Sequence, residues 1–382
     1  MQSVKSAPNV SFFTPKQPIL GKFVKYLEDS ELTSTERTPP LLFTPLKIRS
    51  LTIPNRITVS PMCTYSSIDS YPTPFHTVHY GSLSMRGPGL LITECASVCE
   101  NGKVTCNDLG LWNDSLAKEH YSKIVEFAHS QNCNIGVQLG QFHNKDIVPP
   151  IESWSKEQII DTIKEWGQVC KRATDMAQYD FIEIQASHGH IIDQFISPLW
   201  NHRTDEYNGE LQDRTRFLFQ LVDEIRNNIP KEVPLFIRLP DCDKSEKEGS
   251  LTQKDTIKIC VELAKHGVDV VDFVCVNPGK LNLRSHKPRL EFLQDLKQIL
   301  KSKDLSLVVG SPSKISTAKE AEALLQSGLE DIILIGSEFL RNPVLVTEFA
   351  YQLGVKITQP VQYSWGFYPS EKYLETSKSA PK

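Results

Sequence analysis

Eight short and almost uninterrupted apolar runs recur along this chain at Ile57–Met62, Gly89–Ala96, Asn134–Leu139, Phe181–Ala186, Leu235–Leu239, Val268–Val276, Leu305–Gly310 and Asp331–Gly336. A run such as Ile332-Ile333-Leu334-Ile335, apolar at consecutive positions, is buried on both faces, which is the condition of a strand in a parallel sheet covered by helices. Helical patterns follow most of them, at Ser115–Gln131, Ser155–Ala177, Leu211–Ile229, Thr252–His266, Leu290–Lys301, Lys314–Ser327 and Glu338–Leu353. Parallel neighbours need such crossovers, because a tight hairpin can join only antiparallel strands. Eight strand–helix units in an α/β chain favour a closed (β/α)8 TIM barrel over an open doubly wound sheet, and no G-x-G-x-x-G fingerprint follows the first strand. The chain has 382 residues, enough for one such barrel, which takes about 250, with material to spare. We place the spare material in an N-terminal extension (1–40), rich in Ser, Thr, Pro and Lys and open to partial disorder, and a C-terminal tail (357–382) flanking a barrel at 41–356.

The balance of 42 basic against 46 acidic residues gives a net charge of −4, so electrostatics point to neither nucleic acid nor an anionic membrane. Nothing is long and apolar enough to span a bilayer, and no signal-peptide pattern opens the chain. Nine cysteines, an odd number without a C-x-x-C pair, read as reduced thiols and a cytoplasmic setting. Small molecules are the expected partners.

Barrels of this kind carry their chemistry at the carboxyl ends of the strands. The richest end is that of the fourth run, where Phe181-Ile182-Glu183-Ile184 leads into Gln185, His188, Gly189 and His190 and then the polar stretch Asn201-His202-Arg203-Thr204-Asp205-Glu206-Tyr207. Taken together, SHGH-x-x-x-x-F-x-SP-x-x-NHRTDEY-x-G-x-x-x-x-R-x-R resembles the signature of the Old Yellow Enzyme family of flavin-dependent ene-reductases, in particular its bacterial-type branch. The similarity runs from about Leu42 to about Phe367.

That resemblance implies FMN as cofactor, with NADPH or NADH as the hydride donor. It implies flavin contacts at Pro61, Met62 and Cys63 in Ser60-Pro61-Met62-Cys63-Thr64-Tyr65, at Cys95 beside Glu94, at Gln138, and at Arg238. Cys63 would tune the flavin's potential, as suits a weak, polarizable S–H, and Tyr65 would hydrogen-bond substrate. Gln138 offers both donor and acceptor to an imide edge. Arg238, a charge in an apolar strand, calls for an anionic neighbour, and the resemblance makes that neighbour the reduced flavin. Gly310, Ser311, Gly336 and Ser337 stand where such barrels hold a phosphate.

The departures fall on the substrate side. In place of the family's carbonyl-binding pair and donor tyrosine the chain has Gln185, His188 and His190; an ordinary imidazole pKa near 6.5 makes His190 the expected proton donor. The loop after the third strand is short, with Asn144 where an arginine is usual, and Ser337 replaces a phosphate-binding arginine. Trp365 replaces an arginine that relatives extend into a neighbouring subunit, so the resemblance is compatible with a homodimer but not with an arginine finger. The reading is an FMN-dependent reductase of activated alkenes, an enone or enal. Two alternatives stay open, a non-catalytic flavin-binding or regulatory protein on the same barrel, and a diverged flavoenzyme with other chemistry.

Overall fold

The structure is a computed structural model that describes residues 5–27, 38–142, 150–243, 247, 249–274, 287–312 and 315–367. The loop with Asn144, the end of the sixth expected strand and the tail beyond 367 lie outside the described residues, as does the side chain of Trp365.

Eight parallel strands form the barrel: β1 (Ile57–Val59), β2 (Leu90–Ser97), β3 (Ile135–Gly140), β4 (Phe181–Gln185), β5 (Leu235–Pro240), β6 (Val270–Val274), β7 (Val308–Pro312) and β8 (Ile332–Ile335). Each pairs with its successor, and β8 returns to β1 through Ile333 opposite Ile57, which closes the ring. Outside lie α1 (Pro74–Ser84), α2 (Ser122–Ser130), α3 (Lys156–Asp175), α4 (Arg216–Asn228), α5 (Gln253–Lys265), α6 (Lys287–Ser302), α7 (Ala318–Gln326) and α8 (Leu345–Gln352). Three of them start at reciprocal caps written in the sequence, Ser155 with Gln158, Thr252 with Asp255 and Thr317 with Glu320, each satisfying amide N–H groups that the first turn leaves open.

The amino-terminal half of the barrel interior is apolar, filled by Leu90, Ile92, Phe181, Phe236, Val270 and Leu334. Phe181 and Phe236 stack with centroids 4.5 Å apart, and emptying a site like Phe181 costs about 3–5 kcal/mol. A hairpin of Leu46–Ile48 and Leu51–Ile53 plugs the bottom with Ile48 and Ile53. Arg49 fastens it, bonding Asp269 at 2.6 Å and the carbonyls of Lys231 and Gly267. With the lower half filled and capped, the carboxyl-terminal mouth is left to hold a ligand.

Several boundaries differ from expectation. The last helix breaks into Ser337–Arg341 and α8, because Pro343 cannot continue it. The first breaks at a π-helical turn over Ala117–Tyr121, and the third at Thr215. β7 begins three residues late, since the chain is still turning at Asp304, whose φ is +55°. The N-terminal extension, where described, is packed: Phe23–Tyr26 pairs antiparallel with Val355–Ile357. Just before it Gly21, at φ +69°, lies against Gly87 so closely that a Cβ would fall 2.0 Å from the Gly87 carbonyl oxygen.

Candidate active site

At the mouth the interior turns from apolar to polar or charged along four neighbouring strands. Gln138, Glu183, Arg238 and Asp272 come from β3, β4, β5 and β6; adjacent register sets Gln138 beside Glu183 and Arg238 beside Asp272. Arg238 donates from Nε to Asp272 Oδ2 at 2.5 Å and from Nη2 to the same carboxylate, and a further Nη2 bond reaches Ser60 Oγ at 2.9 Å. Glu183 Oε1 accepts from Gln138 Nε2 at 2.6 Å and lies 3.9 Å from Arg238 Nε. The anionic neighbour that Arg238 required is thus supplied by the protein itself. Burial pushes the Glu183 carboxyl up to about 7, with Arg238 and Gln138 pulling it down and Asp272 pushing it up. Asp272 is likewise raised by burial, against Arg238.

The segment after β1 is pinned by Glu94, on β2. Its carboxyl group accepts from the Thr64 N–H at 2.9 Å, the Thr64 hydroxyl at 2.8 Å and the Tyr80 hydroxyl at 2.9 Å. His76 Nδ1 accepts from the Thr73 N–H at 2.9 Å, which puts the ring proton on Nε2, 3.5 Å from Glu94. Thr64 so held presents Cys63 and Tyr65 at the mouth, both exposed, with Tyr65 in left-handed backbone at φ +52°. The protein around the Cys63 sulfur, together with Glu94, pushes its thiol up to about 11, so it is an uncharged S–H at neutral pH. Tyr65 is raised above the usual phenol range by its neighbour Cys63. Met62 lies against Gly336, and Ser337 is exposed at the start of the short helix. The Ser311 hydroxyl donates to buried Glu330 at 2.5 Å.

After β4, Gln185 Oε1 accepts from the Ser187 hydroxyl at 2.7 Å, and Ser187 Oγ lies 2.9 Å from His188 Nδ1. His188, at φ +61°, is exposed at the mouth, and a non-glycine residue in that region signals a position held by its surroundings. His190 does not behave as expected. It is 8% exposed, edge-on to Phe142, and sits over Gly140, where a Cβ would fall 3.0 Å from the ring and 2.5 Å from Cys95 Sγ. Burial and the neighbouring His188 lower its pKa to about 4, so at neutral pH it is an uncharged imidazole, and the expectation of a partly protonated donor is corrected. The polar stretch 201–207 is tied into the surrounding structure: Asn201 Nδ2 donates to the Phe195 and Tyr207 carbonyls at 2.8 Å each, and Arg203 pairs with Asp205 and donates to the Trp154 carbonyl at 2.9 Å.

Sequence reasoning passed over Glu183, Asp272 and the Glu94 clamp as functional positions. The signal was present, since a carboxylate inside FIEIQ or VVDFV is as costly as the arginine inside FIRL that did draw notice.

The donor set fits a flat heterocycle with an imide edge: an amide and a guanidinium at one level, a thiol on the neighbouring strand end, and a Cβ-free strand at Gly140. A closed α/β barrel with such a mouth defines the class of flavin-dependent barrel oxidoreductases. The sequence pattern of the NADH:flavin oxidoreductase / NADH oxidase family matches residues 41–147 and 142–355, and the chain belongs to that family. It is 35% identical over 353 residues to an NADPH dehydrogenase of Bacillus subtilis, covering 85% of this chain and 99% of that one. An NADH:flavin oxidoreductase of Gibberella zeae is 35% identical over 373 residues, covering 85% and 89%. Among solved structures, morphinone reductase superposes with a TM-score of 0.71 at 21% identity, covering 85% of this chain and 92% of that one, which agrees with the barrel. The protein is therefore an NAD(P)H-dependent flavin oxidoreductase with FMN as its cofactor. Among the described residues no helix is long and apolar enough to cross a membrane.

Proposed function

We propose that the enzyme reduces an activated alkene, an enone or enal, at the carboxyl-terminal mouth of the barrel. Gln138 and Arg238 would hold the pyrimidine edge of FMN, Pro61, Met62, Cys63 and Cys95 would lie along the ring, and Gly310, Ser311, Gly336 and Ser337 would take the phosphate. When bound, FMN supplies the two-electron relay between the nicotinamide and the acceptor. The observation that carries the reading is the convergence of Gln138 and Arg238 on Glu183, at 2.6 and 3.9 Å, directly above an apolar plug.

The chain's own groups divide the remaining work. Gln185 and His188, side by side at the end of β4, would hold the substrate's carbonyl oxygen. Tyr65 takes the donor's place in this scheme, being exposed, protonated throughout the neutral range and next to Cys63. Its hydroxyl proton would pass to the substrate carbon next to the carbonyl and be replaced from solvent. We take residues 41–356 as the catalytic unit, and a homodimer of such units as its assembly, which sedimentation would test.

The test is an absorption spectrum of the purified protein before and after anaerobic NADPH, followed by 2-cyclohexenone. Bleaching of the flavin band and its return on adding the enone is the expected result. A flavin that NADPH reduces but the enone leaves reduced would reject the alkene reading. Protein that stays colourless after FMN reconstitution would reject the site. Ser337→Arg should tighten FMN about tenfold, the worth of one charge-assisted bond, and an unchanged dissociation constant would place the phosphate elsewhere.

A further inference from the structure

Within the barrel Arg238 shares a buried space with the carboxyl groups of Asp272 and Glu183, while buried Arg289, which also acts on Asp272, is itself balanced by Asp241 at 3.3 Å. Arg238 is bonded to Asp272 and faces Glu183, and one oxygen on each acid, Asp272 Oδ1 and Glu183 Oε2, has no hydrogen-bond partner among the described residues. Three charges there would leave a net of −1 in a region where an uncompensated charge is unfavourable by several kcal/mol. One proton taken up by the pair would remove that excess. Glu183 is the better seat for it, because Asp272 has both Arg238 contacts while Glu183 shares a weaker approach and an amide.

We propose that Glu183 is a positioning residue that takes up one proton when the flavin ring over Arg238 gains its negative charge. The idea rests on the placement of Arg238 against the flavin given above. NAD(P)H delivers two electrons and one proton together, which leaves one added negative charge at the ring edge facing Arg238. That charge and an ionised Glu183 compete for the same guanidinium. Glu183 yields by accepting a solvent proton on Oε2; no bond between heavy atoms forms or breaks, and the mouth returns to its earlier net charge. The groups facing Glu183 are Gln138 on β3, Arg238 on β5, Asp272 on β6 and, more distantly, the Cys95 thiol on β2. Of these Cys95 is pushed well up by burial and stays neutral, and Gln138 does not titrate, so the pair with Asp272 is where the proton is held.

The sign follows from the direction of the shift. In the protein alone burial pushes Glu183 up to about 7, and negative charge added nearby raises it further. Between pH 7 and the higher value that Glu183 takes in the reduced enzyme, the reduced enzyme therefore binds up to one proton more than the oxidised enzyme; above that window Glu183 is ionised in both states. Below pH 7 the proton is already in place and none is added.

The midpoint potential of the holoenzyme, followed against pH, reads this directly. In the wild type the slope should steepen from one proton per two electrons toward two as pH rises above about 7, and return to one above the higher value that Glu183 takes in the reduced enzyme. In Glu183→Gln, which keeps the Gln138 contact within reach but cannot titrate, the slope should correspond to one proton throughout. Equal slopes in the two proteins reject the role of Glu183. Arg238→Lys separates the layers: if it moves the potential while Glu183→Gln leaves the slope as in wild type, Arg238 faces the flavin and Glu183 is idle; if it moves nothing, the placement itself fails and the proposal with it. Should Glu183→Gln not fold, infrared difference spectra of the wild type labelled with 13C-glutamate serve instead. Reduction at pH 8 should bring in an isotope-shifted protonated-carboxyl band, and its absence overturns the proposal.

Discussion

Cys63 stands at the mouth with its sulfur open, held there by the Thr64 clamp on Glu94 rather than by packing. Its removal is therefore expected to act on electronics and not on folding: Cys63→Ala should shift the flavin midpoint potential while changing stability by less than about 0.5 kcal/mol. An unaltered potential with a lowered melting temperature would return the residue to a packing role. His190 makes the opposite case. Its folded pKa of about 4 lies below the ordinary 6.5, so stability is complete above pH 6.5 and is lost as pH falls toward 4, by up to about 3 kcal/mol. Urea titrations at pH 7 and pH 4.5 should show that loss in the wild type and a smaller one in His190→Gln. In stopped-flow reoxidation by an enone, Tyr65→Phe should slow the step at least tenfold, whereas a slowing found only in His190→Gln would restore the imidazole as donor.

The βα units were legible because each strand is a near-continuous apolar run and each well-capped helix announces its first turn with a Ser or Thr and its reciprocal partner three residues on. What stayed hidden depends on register. That Gln138 meets Glu183, and Arg238 meets Asp272, follows from which residues fall side by side on adjacent strands, and spacing along one strand does not carry that information. The strand at Phe23–Tyr26, inside the N-terminal extension, stayed hidden for the same reason, its partner lying more than three hundred residues away. Asn55, fully buried just before β1, ties these distant pieces: its Nδ2 donates to the carbonyls of Gly21 and Gly87 at 3.1 and 2.8 Å, and its Oδ1 accepts from the Ile57 N–H. Asn55→Ala leaves those groups without their partner and is expected to cost about 2–4 kcal/mol, seen as a lower urea midpoint with an unchanged slope.

At the scale of the whole molecule, the described part of the N-terminal extension acts as a strap across the barrel's base. Beyond its strand, Gln17 bonds Gln362 at 2.9 Å, and Asn132 donates to the Gln17 carbonyl at 2.8 Å. Deleting residues 1–27 would uncover Val355 and Ile357, both now buried, and is expected to lower the melting temperature while leaving the mouth's flavin affinity within about threefold. A truncated protein with unchanged melting temperature would show the strap to be ornamental.

Because β8 pairs with β1, the ring is shut by a contact between Ile57 and Ile333, residues separated by most of the polypeptide. Growth of the chain on the ribosome therefore delivers β1 long before the strand that must flank it, and for most of synthesis one edge of the nascent sheet has no neighbour. Closing so large a loop late carries a high entropic barrier, and exposed strand edges invite pairing with other chains while it is pending. Nascent chains halted before residue 330 should remain protease-sensitive however many βα units have emerged, and should depend on chaperones to stay apart. The circular architecture that leaves the finished barrel ring without an open edge is, during its manufacture, the reason it has one for so long.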